Sequence, residues 1–206
     1  MSTAAIAEIF GWIGGTAGTM LLWPQVWRLW VQRQHSGLSL TANVIGVLYY
    51  SGWAYYGVSQ QSVAVIATNC AALLAMAAVL AGQMWLARPH LRQWLPTLLA
   101  GYGVLATLAL TLGAITVGSI VGLGAVVSVG TQVVSLIRQR RGGNFDFSGV
   151  ARLRWWLGVF CNAMWIIYGV LKTDPVMILP STANVILSTA VLMLTLPRKQ
   201  PAVAAG

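Results

Sequence analysis

Apolar residues in this chain run in long blocks separated by short polar strings, and they do not alternate with polar residues as half-buried strands would. Seven blocks are long enough to predict membrane-crossing helices, which need about 20 apolar residues each. They are Ala5 to Trp27, Leu40 to Val58, Ser62 to Leu86, Trp94 to Leu112, Ala114 to Ile137, Trp155 to Leu171 and Pro175 to Leu196. The stretch from Leu95 to Ile137 is too long for one crossing, and Gly113 marks the break. The expected fold is therefore all-α and integral to a membrane, with seven transmembrane helices.

The charges sharpen this picture. Arg28, Arg33, Arg88, Arg92, Arg138, Arg140, Arg141, Arg152, Arg154, Arg198 and Lys199 all fall in alternate connections or in the tail. Only Lys172 falls on the opposite side. By the positive-inside rule the arginine-rich side faces the cytoplasm, so the N-terminus is outside and the C-terminus inside. The net charge of +9 does not point to nucleic acid, because the basic residues lie between apolar segments and form no single face. With 7% charged residues and 58% hydrophobic ones, a water-soluble globule would lack a polar surface, whereas lipid can cover apolar faces. Glu8 stands where a signal peptide would carry basic residues, so the first block is expected to remain in the mature protein. Cys70 and Cys161 sit inside apolar blocks without metal-ligand spacing. Compact connections and a short tail lean towards a bacterial inner membrane.

The chain also repeats itself. Ser36-Gly37-Leu38, Gly46 and the string Trp53-Ala54-Tyr55-Tyr56-Gly57 recur 112 positions later as Ser148-Gly149-Val150, Gly158 and Trp165-Ile166-Ile167-Tyr168-Gly169. Gly11, Gly15 and Gln25 match Gly118, Gly122 and Gln132 at an offset of 107, so the second copy has a longer loop within residues 141–147. Each copy holds three crossings, with a lone fourth helix between them. That helix reverses the chain once more, so the two copies run parallel about an axis along the membrane normal. The division is a first three-helix repeat over 1–87, a linker helix over 88–113, a second repeat over 114–197 and a short cytoplasmic tail over 198–206. A ligand would sit between the repeats near the midplane.

Trp23-Pro24-Gln25-Val26, the Ser36-to-Ser39 run and the Trp-x-x-Tyr-Gly end of the second crossing resemble the PQ-loop membrane proteins, and among them the SWEET and SemiSWEET (MtN3/saliva-like) sugar transporters. The resemblance covers nearly the whole chain. It implies the 3-1-3 arrangement, a hinge at Pro24 with Gln25 and its counterpart Gln132, and sugar contacts by a Trp and an Asn in each repeat. Trp53 and Asn69 match in the first repeat and Trp165 in the second. The second amide partner is either Ser181, by gapless alignment, or Asn184, by its Ala-Asn-Val string. Asn162 lies one turn before Trp165 and is a further candidate. Thr131 stands where the second repeat would carry proline, and the prolines that the family tends to carry in its second and sixth helices are absent.

The residue chemistry agrees with a hydroxyl-rich ligand. An amide both donates and accepts, and an indole offers a flat apolar face with one N–H. A buried amide is costly without a partner, so Asn69, Asn162 and Asn184 should face protein or water and not lipid. The alternative role for these side chains is interhelical hydrogen bonding and packing. The glycines at four-residue spacing, Gly11 with Gly15 and Gly14 with Gly18, read as packing positions.

No carboxylate lies deep in a crossing: Glu8, Asp146 and Asp174 all fall near the ends, and Asp174 is expected to pair with Lys172 in a solvated loop. Proton coupling usually needs an ionisable group at depth, so facilitated diffusion of a small neutral polar solute, a mono- or disaccharide first, is the expected mode. Neither an acid–base pair nor a metal-ligand set is legible, so no enzyme chemistry, cofactor or metal is expected. A retinal protein would need a lysine within a crossing, and both lysines lie outside. The rival readings are a carrier of a neutral amino acid or other metabolite, and a non-transporting receptor or accessory subunit. The expected partners are a small solute and the bilayer, not nucleic acid, with homo-oligomerisation optional.

Overall fold

The computed structural model describes residues 1–35, 38–143, 147 and 151–196. The Ser36-Gly37 and Ser148-Gly149-Val150 repeat marks, residues 144–146 of the 141–147 loop with Asp146 among them, and the tail with Arg198 and Lys199 lie outside the described residues. Every regular element among the described residues is helical. The order is α1 (Thr3–Met20), α2 (Trp23–Trp30), α3 (Leu40–Ser59), α4 (Val63–Ala87), a 3₁₀ turn (Leu91–Gln93), α5 (Leu95–Thr111), α6 (Gly113–Arg141), α7 (Arg152–Lys172) and α8 (Pro175–Leu194).

The helix ends follow local chemistry. Ser2, Ser39 and Ser62 cap α1, α3 and α4, each hydroxyl accepting from a backbone N–H in the first turn. Asp174 caps α8 from Val176 and Met177, just ahead of Pro175 in the first turn, where a missing N–H costs nothing. The break between α5 and α6 falls at Gly113, whose φ of +80° is left-handed backbone that glycine adopts without strain.

Seven crossings result, the first made of α1 and α2 together. Five are long and apolar enough to span a bilayer by length and composition alone, and the shorter α5 is also apolar. Helix α3 is long enough but carries Asn43, Ser51, Trp53 and four tyrosines, which lower its hydropathy. Several of those residues face protein rather than lipid.

The first crossing departs from expectation. It is not one helix with Pro24 in its interior. The chain turns at Leu21 and Leu22, with Leu21 N–H bonded to Gly18 O and Leu22 N–H to Thr19 O, and α2 then restarts at Trp23. Pro24 thus sits in the first turn of α2, where its ring is tolerated. Helix α2 is pinned to α4: Trp30 Nε1 donates to Ala78 O at 3.0 Å, its ring stacks on Trp85 at 5.6 Å, and the Arg33 guanidinium lies 3.9 Å from the Trp85 ring centre.

The helices form a closed ring. Helix α4 packs between α1 and α3, α8 packs between α6 and α7, and the two triplets meet through α1 against α7 and α3 against α6. Helix α5 lies outside, against α3 and α6. The close approaches obey a two-fold relation. Gly11 meets Ala64 and Tyr168, while Gly118 meets Val176 and Tyr56. Gly15 meets Thr68, while Gly122 meets Pro180. Each pair exchanges under the offsets read from the sequence, as parallel repeats about one axis require. A side chain at Gly15 would collide with Thr68, so a glycine is needed there for α1 to reach α4.

Candidate functional site

A cavity of about 420 Å³ lies inside this ring, lined from α1, α3, α4, α6, α7 and α8. Its lining runs from Trp53, Trp165 and Met177 to Arg154 and Trp155 at the arginine-rich end. Beyond the two tryptophans, on the Lys172 side, the ring is shut by Tyr56 and Tyr168, each only 1% exposed.

The cavity brings together the residues singled out in the sequence. Trp53, Asn69, Asn162, Trp165, Ser181 and Asn184 all line it, and so does Gln132. Pro24 and Gln25 do not: Pro24 is exposed at the start of α2, and Gln25 is half-buried one residue on. Both candidates for the second-repeat polar contact are present, since Ser181 and Asn184 are each buried to 7% exposure on one face of α8. Ser188, 3% exposed, extends the same polar stripe a turn further.

The amides differ in what they have left to offer. Asn69 donates its Nδ2 to Val65 O at 2.9 Å, and Asn162 donates to Gly158 O at 2.8 Å, each within its own helix. Asn184 Oδ1 is buried without any hydrogen-bond partner. An unmet buried acceptor costs about 1–3 kcal/mol, so its position on a cavity wall invites a donor from a guest. The tryptophans are held edge-on: Trp53 against Tyr49 and Tyr56 at 6.4 and 5.6 Å, and Trp165 against Tyr168 at 5.4 Å. Cys161 on α7 faces α1, its thiol donating to Gly14 O at 3.0 Å.

Several lining residues escaped the sequence reading: Thr19, Tyr49, Tyr50, Thr68, Ser128, Ser188 and Arg154. Ser188 had a signal, because Ser181, Asn184 and Ser188 at spacings of three and four mark one polar face of an apolar helix. Tyr49 and Tyr50 had none, because the matching positions of the second repeat are Cys161 and Asn162. The two-fold cavity is thus lined unequally, aromatic on one side and small or amide on the other. Arg154, one of the arginines on the cytoplasmic side of the sequence pattern, lines the arginine-rich end of the cavity, and no carboxylate is among the described lining residues.

The Lys172 end corrects an expectation. Asp174 does not pair with Lys172. It turns inward to cap α8, and Tyr56 Oη donates to its carboxylate at 2.8 Å, joining α3 of one repeat to α8 of the other. Lys172 lies instead 3.6 Å from Glu8.

Residues 114–199 match the family model described as a sugar efflux transporter for intercellular exchange. The resemblance to the SWEET family holds. The match falls on the second repeat, and the fold likeness reaches further. A solved structure titled as a eukaryotic SWEET transporter superposes with a TM-score of 0.71 at 14% sequence identity, covering 92% of this chain and 96% of that chain. No curated protein gives a match. The SWEET-like chain is therefore an integral membrane protein of seven crossings in two parallel triplets and a linker helix.

Proposed function

We propose that this SWEET-like chain is a membrane transporter, not an enzyme, and that it passes a mono- or disaccharide by facilitated diffusion through the cavity between its repeats. The observation that carries the reading is the buried, unpartnered Asn184 Oδ1 in a cavity walled by Trp53 and Trp165. A hydroxyl donates to such an acceptor and accepts in turn, while C–H faces of a pyranose rest on indole. The family model on the second repeat and the SWEET-type fold support sugar as the ligand class.

Alternating access is the mode of passage in this reading. The cavity reaches the arginine-rich end and is shut at the other by Tyr56, Tyr168 and Asp174, the arrangement expected of a carrier open to one side. The positive-inside rule assigns the open side to the cytoplasm, with the N-terminus outside and a bacterial inner membrane as the setting. Closing that side would swing α1 against α2 at the Leu21-Leu22 turn, with Pro24 and Gln25 at the hinge and Gln132 at the matching place on α6 of the other repeat. Repeat boundaries at 87 and 113 make the two triplets the moving bodies.

A neutral amino acid is the second reading, and Arg154 favours it, since a guanidinium meets a carboxylate well. Among the described residues the same cavity offers no carboxylate to the amino group, which weighs the balance back to sugar. Uptake of labelled glucose and sucrose into proteoliposomes, each competed with unlabelled sugars and with neutral amino acids, decides between them. Sugar uptake resisted by sugars alone supports the proposal. Uptake that only amino acids compete, or no uptake by folded protein, rejects it.

A further inference from the structure

Glu8 lies on α1, one turn from its start, and Lys172 ends α7. They belong to different repeats. Glu8 Oε2 accepts from the Ala64 backbone N–H at 2.8 Å, at the start of α4, where helix dipole and free N–H groups favour an anion. Lys172 stands in the last turn of α7, where the dipole favours a cation. Glu8 Oε1 is buried with no hydrogen bond of its own, and Lys172 Nζ is 3.6 Å away, too far for one but close enough for charge attraction. Each side chain is about a quarter exposed, at 24% for Glu8 and 27% for Lys172. The Tyr168 hydroxyl from α7 lies close to Ser62 and within reach of the charges of both Glu8 and Asp174.

We infer that Glu8 and Lys172 form a charge tie between the repeats that sets how readily the Lys172 end of the cavity opens. The inference rests on the alternating-access reading above. It concerns a contact separate from Tyr56 and Asp174: those two join α3 to α8, whereas Glu8 joins α1 and α4 to α7, on the other side of the ring. The tie has no twin. The position 107 residues after Glu8 is Ile115, which is 64% exposed. Opening therefore has to separate a charge pair on the α1–α7 side and no corresponding pair on the α3–α6 side. Glu8 and Lys172 are positioning residues in this scheme, since neither lines the cavity.

Cys161 supplies the readout, because it lines the cavity and Cys70 can be removed from its exposed place on α4. In oriented membranes carrying Cys70→Ser, a membrane-impermeant methanethiosulfonate reagent applied on the Lys172 side should label Cys161 slowly. Glu8→Gln keeps an acceptor for Ala64 N–H but loses the charge, and Lys172→Met loses its partner. Each should speed labelling from that side about two- to fivefold, as for a partly exposed ion pair. The double variant should go no faster than either single, and Lys172→Arg should restore the parent rate. A merely structural role would show in lowered thermal stability, not in a rate that Arg restores. Variants labelled at the parent rate, with the parent open only to the arginine-rich side, would overturn the tie alone. A parent labelled equally from both faces would overturn the alternating-access reading and the tie with it.

Discussion

Asn184 concentrates the chemistry of the cavity at the residue scale. Its Oδ1 is the one cavity-lining side-chain atom among the described residues that is buried with no partner, whereas Asn69 and Asn162 have already spent one donor each on their own helices. Asn184→Ala is expected to weaken sugar binding about tenfold, at the upper end of the roughly 0.5–1.5 kcal/mol that a neutral hydrogen bond contributes. Ser181→Ala should cost less, about twofold to threefold. Equal losses at both positions, read by tryptophan fluorescence titration, would show that the acceptor is not special. Trp53 and Trp165 were legible in the sequence because they recur at a fixed offset within a shared string. Tyr50 was not, because its counterpart is Asn162. The partner of Asp174 was misread for a different reason: Lys172 is its neighbour along the chain, but the helix start turns the carboxylate towards Tyr56.

Close approach governs how the elements fit. Helix α1 touches α4 and α7 through Gly11, Gly14 and Gly15, with Met164 Cβ 2.9 Å from where a Cβ on Gly14 would stand. Gly15→Ala is expected to lower stability in detergent by about 1–3 kcal/mol, as overpacking does, because the new methyl would meet the Thr68 side chain. Adding Thr68→Ala should recover part of that loss. Gly130→Ala, which has open space around it, should leave the melting temperature within a degree or two or raise it. A Gly15→Ala protein as stable as its parent would show that the α1–α4 approach is looser than described. The crossings themselves were legible from hydropathy, and Gly113 from its place in an overlong apolar run. The turn at Leu21-Leu22 was not, because nothing in those two leucines departs from an apolar helix. Proline signalled a local disturbance but not that the chain would restart one residue before it.

The two-fold relation between repeats organises the whole molecule, and the departures from it are where function is expected to lie. The repeat offsets predicted the parallel triplets, and the glycine contacts reproduce them position by position. The asymmetries were harder to read: a broken first crossing against an unbroken α6, a Tyr49-Tyr50 wall against Cys161 and Asn162, and Arg154 with no equivalent. At each of these positions the two repeats carry different residues, so a search for strings that recur passes over them. Arg154→Gln is expected to leave glucose uptake within about twofold of the parent if the ligand is neutral, because a charge–dipole contact at the cavity mouth is weak. A loss above tenfold would move the assignment to an anionic or zwitterionic solute.

Counterflow of labelled glucose and sucrose in proteoliposomes, with internal unlabelled sugar and no pH or electrical gradient, tests the central claim most directly when Trp53→Ala and Asn69→Ala are measured beside the parent. Transient accumulation in the parent, lost in both variants while their melting temperatures hold, is the predicted result. Accumulation that survives in both variants would place the pathway elsewhere. Folded parent protein that accumulates neither sugar would contradict the claim that this cavity carries sugar.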